Sequence, residues 1–195
     1  MSVEILGGKA RGFLVQVPKG DLIRPTSVLL KRRIFDSWQN LEGCIFVDLC
    51  AGSGAIGLEA RSRGAPKTIF IEKEPSVWKI LNTNLDKFNE RYGENDFQVI
   101  KDDFKKWLLR FVDTYSSWNG PAQENTILFF DPPYEKKDLY EFFVKTVMQG
   151  TWFKGYVWVE SDQKKGVSSD FFDQFKEINL KNYEQGSRYI SVFSF

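Results

Sequence analysis

The stretch Val47-Asp48-Leu49-Cys50-Ala51-Gly52-Ser53-Gly54-Ala55-Ile56-Gly57 decides the fold of this chain. It combines the end of an apolar strand, an acidic residue, a glycine-rich turn and the start of a helix. Glycine allows sharp turns and a close approach of the backbone to a ligand, and open α/β sheets bind ligands at such strand-to-helix crevices. A tight turn without a ligand is the alternative. The stretch lacks the Gly-Lys-Ser/Thr of a P-loop, so that nucleotide site is excluded. The predicted cofactor contacts in the turn are Asp48, Cys50, Ala51, Gly52, Ser53 and Gly54.

Apolar and amphipathic segments alternate on both sides of this turn. Strands are predicted near residues 44–49, 67–72, 97–101, 126–131 and 155–160. Helices are predicted near residues 26–41, 54–63, 75–92, 103–116, 136–149 and 169–174, with a loop over 117–125. This alternation is typical of a parallel sheet that is covered by helices on both faces. The sequence therefore predicts a doubly wound, Rossmann-like α/β fold.

The two ends of the chain depart from the alternation. Residues 3–7 and 13–17 predict two short strands around a glycine-containing turn, and residues 175–183 and 187–195 flank Gln185-Gly186 with no helix between them. Both patterns indicate β-hairpins. A hairpin at the end of a parallel sheet introduces one reversed strand, which distinguishes this sheet from that of a dinucleotide dehydrogenase. We predict a hairpin extension over residues 1–25 and one α/β domain over residues 26–195.

The composition excludes several kinds of chemistry. The chain contains no histidine, so Ser-His and Cys-His catalysis and histidine-ligated metal sites are excluded, and we predict no bound metal. If Cys44 and Cys50 lie on one strand, they are about 20 Å apart and cannot form a disulfide. No apolar run has the length of a membrane span, and the N-terminus does not resemble a secretory signal. We expect a cytoplasmic monomer without membrane contact.

The basic residues are concentrated at the N-terminus. Residues 1–40 contain seven Lys or Arg and three Asp or Glu, whereas the whole chain has a formal charge of +1. A basic arm on a mildly acidic domain is typical of a protein that binds a polyanion such as nucleic acid. The alternative is a solvated surface. The candidate phosphate contacts in this arm are Lys9, Arg11 and Arg24.

Two acidic positions follow the next predicted strands. Glu72 ends the second strand, 24 residues after Asp48, and an acid there can accept hydrogen bonds from both hydroxyls of a ribose. S-adenosylmethionine and nicotinamide sites both use such an acid, so Glu72 with its neighbour Lys73 does not separate them. An exposed acid in a charged run is the alternative.

Asp102-Asp103-Phe104 follows the third strand. An acid here can accept from an adenine amino group, and we favour Asp103 over Asp102, with Phe104 beside it. The alternative is that Asp103 caps the helix that begins at residue 104, a position that Asp favours. Both roles are compatible.

Phe130-Asp131-Pro132-Pro133-Tyr134 after the fourth strand indicates the reaction. The amino group of a base is a poor nucleophile because its lone pair is delocalised, so its site should offer hydrogen-bond acceptors only. The Asp131 carboxylate and the Pro132 carbonyl are two such acceptors, and two prolines keep the loop rigid. Tyr134 offers a flat face for an extruded base. A proline-rich turn in which Asp131 caps the next helix is the alternative.

These motifs resemble the RsmD family of bacterial methyltransferases, which act on guanine N2 in small-subunit ribosomal RNA. The resemblance is carried by Ile5–Gly12, Arg24-Pro25-Thr26, Asp48–Ala65 and Phe130–Tyr134. It implies a class I methyltransferase fold with a seven-stranded sheet in the order 3-2-1-4-5-7-6. It also implies S-adenosylmethionine as cofactor, catalysis by the Asp131–Tyr134 loop, and ribosomal RNA or the assembling small subunit as partner.

One segment departs from the family pattern. After Arg-Pro-Thr the family usually reads close to x-Asp-Arg-Val-Arg-Glu, whereas this chain has Ser27-Val28-Leu29-Leu30-Lys31-Arg32. Only Lys31 keeps the charge at its position. The resemblance adds Thr26 and Lys31 to the candidate RNA contacts. Rival functions are adenine-N6 or protein-glutamine methylation, a non-catalytic RNA-binding relative, and a nicotinamide-binding protein.

Overall fold

The structure is a computed structural model that describes residues 1–18, 28–93 and 96–195. Two candidate RNA contacts, Arg24 and Thr26, lie outside the described residues. A two-stranded antiparallel sheet at the N-terminus consists of β1 (Ser2–Glu4) and β2 (Leu14–Gln16), which confirms the predicted N-terminal hairpin.

A seven-stranded sheet forms the centre of the protein. Its strands are β3 (Ile45–Asp48), β4 (Lys67–Ile71), β5 (Phe97–Ile100), β6 (Thr126–Phe130), β7 (Tyr156–Asp162), β8 (Asn179–Gln185) and β9 (Arg188–Ser194). Their order in space is β5-β4-β3-β6-β7-β9-β8. The first five strands run parallel, and β9 is antiparallel to both β7 and β8. The predicted order with one reversed strand is confirmed.

Helix α1 (Val28–Ser37) precedes β3. The parallel strands are connected by α2 (Ala55–Ser62), α3 (Pro75–Tyr92), α4 (Phe104–Ser116), α5 (Gly120–Glu124) and α6 (Lys137–Phe143). Helix α6 continues into a π-helical segment, Val144–Met148, and a 3-10 helix covers Ser169–Ile178. The C-terminal hairpin therefore begins at Asn179, later than the predicted residue 175.

The predicted loop over residues 117–125 was wrong, because it contains helix α5. The Asn119 side chain caps this helix by accepting a hydrogen bond from the Ala122 N–H at 2.9 Å. Pro121 lies in the first turn, where its missing N–H has no intrahelical partner to lose. The polar composition that suggested a loop is that of a helix start, with an asparagine cap followed by proline.

Both faces of the central sheet are covered, as a parallel sheet requires. Neighbouring residues of a strand point to opposite faces. In β3, Val47 packs with the cluster that includes α4 and α6, whereas Phe46 packs with α1 and α2 around Trp158. A third cluster joins Phe13 and Val15 of the N-terminal extension to α2, α3 and β4. The extension therefore shares the core of the α/β unit.

A buried carboxylate fastens the N-terminal extension to the sheet unit. Glu59 of α2 is fully buried and accepts hydrogen bonds from the N–H groups of Leu6 at 2.7 Å and Gly7 at 2.9 Å. It also pairs with Arg63 Nε at 2.9 Å and Lys31 Nζ at 3.2 Å. Lys31 is only 3% exposed, so it is an internal residue. This corrects its assignment as a surface contact for RNA.

The two cysteines flank one strand and are not bonded to each other. Cys44 lies before β3 and Cys50 after it, and both are free thiols. The 18-residue helix α3 is amphipathic, with buried positions such as Leu81 on one face only. Among the described residues, none of the helices combines the length and the apolar character of a membrane-spanning segment.

Candidate active site

A cavity of about 380 Å³ opens at the carboxyl edge of the central sheet. The turn after β3, the end of β4 and the loop after β6 meet there because parallel strands end at the same edge. The cavity wall includes nine of the predicted site residues, namely Cys50, Gly52, Glu72, Lys73, Phe104, Asp131, Pro132, Pro133 and Tyr134. The glycine-rich turn and the Asp131–Tyr134 loop therefore open onto one space.

The glycine-rich turn owes its shape to two glycines with left-handed backbone angles. Gly52 has φ 54° and Gly54 has φ 84°, values that residues with a side chain rarely adopt. The Asn84 amide of α3 donates to the Ser53 carbonyl at 2.9 Å, and the Ala51 N–H donates to the Ile71 carbonyl of β4 at 2.9 Å. Ala51, Ser53 and Gly54 thus build the turn without lining the cavity.

Glu72 lies on the cavity wall and is held by two backbone hydrogen bonds. Its Oε2 accepts from the Gly52 N–H at 2.9 Å and its Oε1 from the Glu74 N–H at 2.7 Å. Burial raises the pKa of Glu72, and the backbone hydrogen bonds partly oppose this rise. Each carboxylate oxygen has two lone pairs, so the carboxylate can accept further hydrogen bonds from a ligand while it holds the turn.

Asp48 lies behind the cavity, at the end of β3. It is 1% exposed, and its carboxylate accepts from the backbone N–H groups of Cys50 and Gly57. Its Oδ1 has no hydrogen-bond partner among the described residues. Burial, and then the charge of Glu72, raise the pKa of Asp48 to about 7. Asp48 therefore supports the turn from beneath.

Raising the pH should destabilise the cofactor-free protein through Asp48. Between pH 3.8 and about 7 the folded protein keeps a proton on Asp48 that the unfolded chain releases. The free energy of unfolding should therefore fall as the pH rises through this range and level off above it. Urea unfolding at several pH values measures the effect. Asp48→Asn should reduce the decrease in the free energy of unfolding and leave only the part due to Glu72. The control Asp86→Asn changes an exposed residue of α3 and should not alter the decrease. Equal pH dependence in the wild type and Asp48→Asn would contradict the assignment.

The two aspartates after β5 have different positions. Asp103 caps α4 by accepting from the Lys105 N–H at 2.9 Å, and its other oxygen is 3.6 Å from Lys73 Nζ. Asp102 lines the cavity and pairs with Arg110. The structure thus places Asp102 on the cavity wall, whereas the sequence-based preference was for Asp103, which occupies the alternative role of helix cap.

The Asp131–Tyr134 loop is fixed by a buried carboxylate of the neighbouring strand. Tyr134 is 7% exposed, and its hydroxyl donates to Glu160 Oε1 of β7 at 2.8 Å. Burial and the nearby charges of Asp131 and Glu160 raise the pKa of Tyr134 far above its usual range. The guanidinium carbon of Arg188 lies 6.0 Å from the centroid of its ring.

Sequence reasoning missed Glu160 and Arg188. A signal for Glu160 was present, because it follows the apolar run at 157–159 as Asp48, Glu72 and Asp131 follow their strands. Arg188 carried no comparable signal, because only the pairing of β7 with β9 brings it to this edge of the sheet.

The described cations of the basic arm lie away from the cavity. The backbone N–H of Lys9 donates to the Ser62 carbonyl at 2.9 Å, at the last turn of α2. Because α2 begins at the glycine-rich turn, its eight residues separate Lys9 from the cavity by about 12 Å along the helix. Arg11 is exposed in the same loop.

A family model described as Conserved hypothetical protein 95 matches residues 3–192. The chain belongs to this family, which is the RsmD type. Among RsmD-type relatives, ribosomal RNA small subunit methyltransferase D of Escherichia coli K12 is 28% identical over 169 residues, covering 85% of this chain and 77% of the relative.

Solved structures confirm the class I methyltransferase fold of this RsmD-type chain. The E. coli protein yhhF superposes with a TM-score of 0.72 at 23% identity, covering 99% of this chain and 97% of that one. An RNA methyltransferase from Salinibacter ruber, solved in complex with S-adenosyl-L-homocysteine, gives a TM-score of 0.55 at 13% identity, covering 88% and 93%.

The segment that departs from the RsmD pattern forms the start of α1. Val28 and Leu29 are 48% and 53% exposed, whereas Leu30 and Lys31 are buried. Val28 and Leu29, where the family has an acid and a base, are thus surface residues in this chain. Lys31, which keeps the family's charge, is the buried partner of Glu59.

Proposed function

We propose that this protein transfers a methyl group from S-adenosylmethionine to the exocyclic N2 of a guanine in small-subunit ribosomal RNA. The observation that carries the proposal is the shared cavity of the glycine-rich turn and the Asp131–Tyr134 loop. The names of the RsmD-type relatives support ribosomal RNA, free or in the assembling small subunit, as the substrate.

The cavity wall fits S-adenosylmethionine better than a dinucleotide. Its charged groups are mostly carboxylates, including Glu72, Asp102 and Asp131. This charge attracts a sulfonium cation and repels a pyrophosphate. Glu72 retains acceptor capacity for two ribose hydroxyls, and Val77 and Phe104 offer buried apolar surface to a flat ring. When bound, the cofactor supplies an electrophilic methyl group.

The Asp131–Tyr134 loop would prepare the amino group. The Asp131 carboxylate and the Pro132 carbonyl accept its two N–H bonds, which leaves the nitrogen lone pair directed away from both acceptors. Tyr134, held by Glu160, provides an aromatic surface for the extruded base. Asp131 is the nearby base that can take the proton released from nitrogen. Catalysis then depends on positioning and on fixed charges.

Mass mapping of ribosomal RNA from cells with and without the gene tests the proposal. We expect one N2-methylguanine of the small-subunit RNA to disappear without the gene, and the purified protein to restore it from labelled cofactor. Label on DNA or protein alone would favour the adenine-N6 or glutamine rival. Calorimetry that shows NAD binding without S-adenosylmethionine binding would favour the nicotinamide rival.

A further inference from the structure

Several cations at the sheet edge that carries the candidate catalytic loop come from the C-terminal part of the chain. We propose that Lys164, Lys165 and Arg188, here called the β7 rim, bind backbone phosphates of the RNA strand next to the target nucleotide. This inference rests on the proposed function and adds a substrate-binding surface to it. The basic N-terminal arm that suggested RNA binding supplies none of these residues.

The β7 rim lies at the same edge of the sheet as the Asp131–Tyr134 loop. Strands β6 and β7 are parallel neighbours, with Phe130 opposite Val159, so the residues that follow them emerge side by side. Strand β9 pairs with β7 in the opposite direction and places Arg188 opposite Asp162, the last residue of β7. The turn after β7 and the start of β9 therefore both flank the loop.

Arg188 links the β7 rim to the site of the base. Its guanidinium carbon is 6.0 Å from the centroid of the Tyr134 ring. A nucleotide whose base lies against Tyr134 would carry its sugar and phosphates toward solvent. Arg188 is half-buried, so part of its side chain is accessible to solvent. An arginine can bind two phosphate oxygens with two parallel hydrogen bonds.

The turn that carries the two lysines is held in place before RNA binds. Asp162 Oδ1 accepts from the backbone N–H groups of Lys164 at 2.9 Å and Lys165 at 3.0 Å. Asp162 Oδ2 accepts from the Ser187 hydroxyl at 2.8 Å, and the Gln163 N–H donates to the Ser187 carbonyl at 2.7 Å. The turn is thus tied to the residue before Arg188. A preformed surface loses less conformational entropy on binding.

The turn over residues 162–166 keeps a net positive charge. Its two lysines outnumber its one acid, Asp162, whose buried carboxylate accepts hydrogen bonds from the turn backbone, and Gln163 and Gly166 are neutral. The Lys164 and Lys165 side chains are exposed. By contrast, Lys136 and Lys137 after the catalytic loop lie between the exposed acids Glu135 and Asp138. This contrast favours the β7 rim as the attractive surface for a polyanion.

Charge reversal on the rim provides the test. Lys164→Glu/Lys165→Glu should weaken binding to undermodified small-subunit RNA at least tenfold and raise its KM. Because each neutralised phosphate contributes about 0.7 to 0.9 to the salt dependence, the slope of log K against log salt should become shallower by about 1.4 to 1.8. Lys87→Glu/Lys145→Glu changes the net charge equally at two exposed helix positions and should leave both quantities within about twofold.

Two further measurements separate the possible failures. Calorimetry with S-adenosylhomocysteine should give the wild-type affinity for the rim variant, and Lys164→Gln/Lys165→Gln should show a smaller effect in the same direction. If the wild type methylates RNA and both rim variants keep its slope and KM, the rim proposal is overturned and the proposed function stands. If the wild type neither binds nor methylates RNA, both are overturned.

Discussion

Asp131→Ala should lower kcat for methyl transfer to RNA by about 10²- to 10³-fold, the usual cost of removing one fixed polar group from a reacting centre. The variant removes the acceptor that orients the amino group and the base that can take its proton. Asp131→Asn keeps one acceptor oxygen but loses the charge, so we expect an intermediate loss. Single-turnover rates with saturating cofactor and RNA measure the effect on chemistry directly.

Asp138→Ala is the matched control for Asp131→Ala. Asp138 is an exposed acid at the start of α6, and its carboxylate pairs with Lys105 Nζ at 3.7 Å. The control should retain kcat within about twofold, since exposed ion pairs contribute little. Wild-type rates for Asp131→Ala would remove Asp131 from catalysis and favour a different site on the same fold.

Glu72→Ala should weaken cofactor binding by at least about 100-fold. Two hydrogen bonds to an ionised group contribute about 1.5 to 3 kcal/mol each, and 1.4 kcal/mol corresponds to a factor of ten. The change also removes the acceptor for the Gly52 N–H, so the glycine-rich turn should loosen. Titration calorimetry with S-adenosylhomocysteine gives the dissociation constant.

Glu72→Gln and Glu90→Ala make the test of Glu72 specific. Gln keeps one acceptor oxygen and should lose less affinity than Ala. Glu90 is an exposed acid near the end of α3, so its removal should leave the dissociation constant unchanged. An unchanged affinity in Glu72→Ala would show that this carboxylate serves only the turn. Glu72 and Asp131 are also distinguishable from each other, because the first should act on cofactor affinity and the second on kcat.

The sequence by itself determined the fold and the two motifs that meet in the cavity. Hydrophobic periodicity and glycine positions are local properties, so the order of strands and helices around Gly52 and Gly54 could be read directly. The acids at strand ends could also be found, because parallel strands bring their carboxyl ends to one edge. Segment 117–125 forms a short helix although its composition is that of a loop, because Asn119 and Pro121 also favour a helix start.

Only the tertiary structure decided which polar side chains face the cavity and which form hydrogen bonds or ion pairs inside the protein. The sequence allowed Asp103 to cap α4, as it does, but not the finding that Asp102 lines the cavity wall. The sequence suggests that Lys31 is a surface cation, whereas in the structure it is buried and pairs with Glu59, 28 residues away. Glu160 meets Tyr134 across 26 residues. The contacts of Lys31 and Tyr134 depend on the packing of distant elements, and no local pattern encodes them.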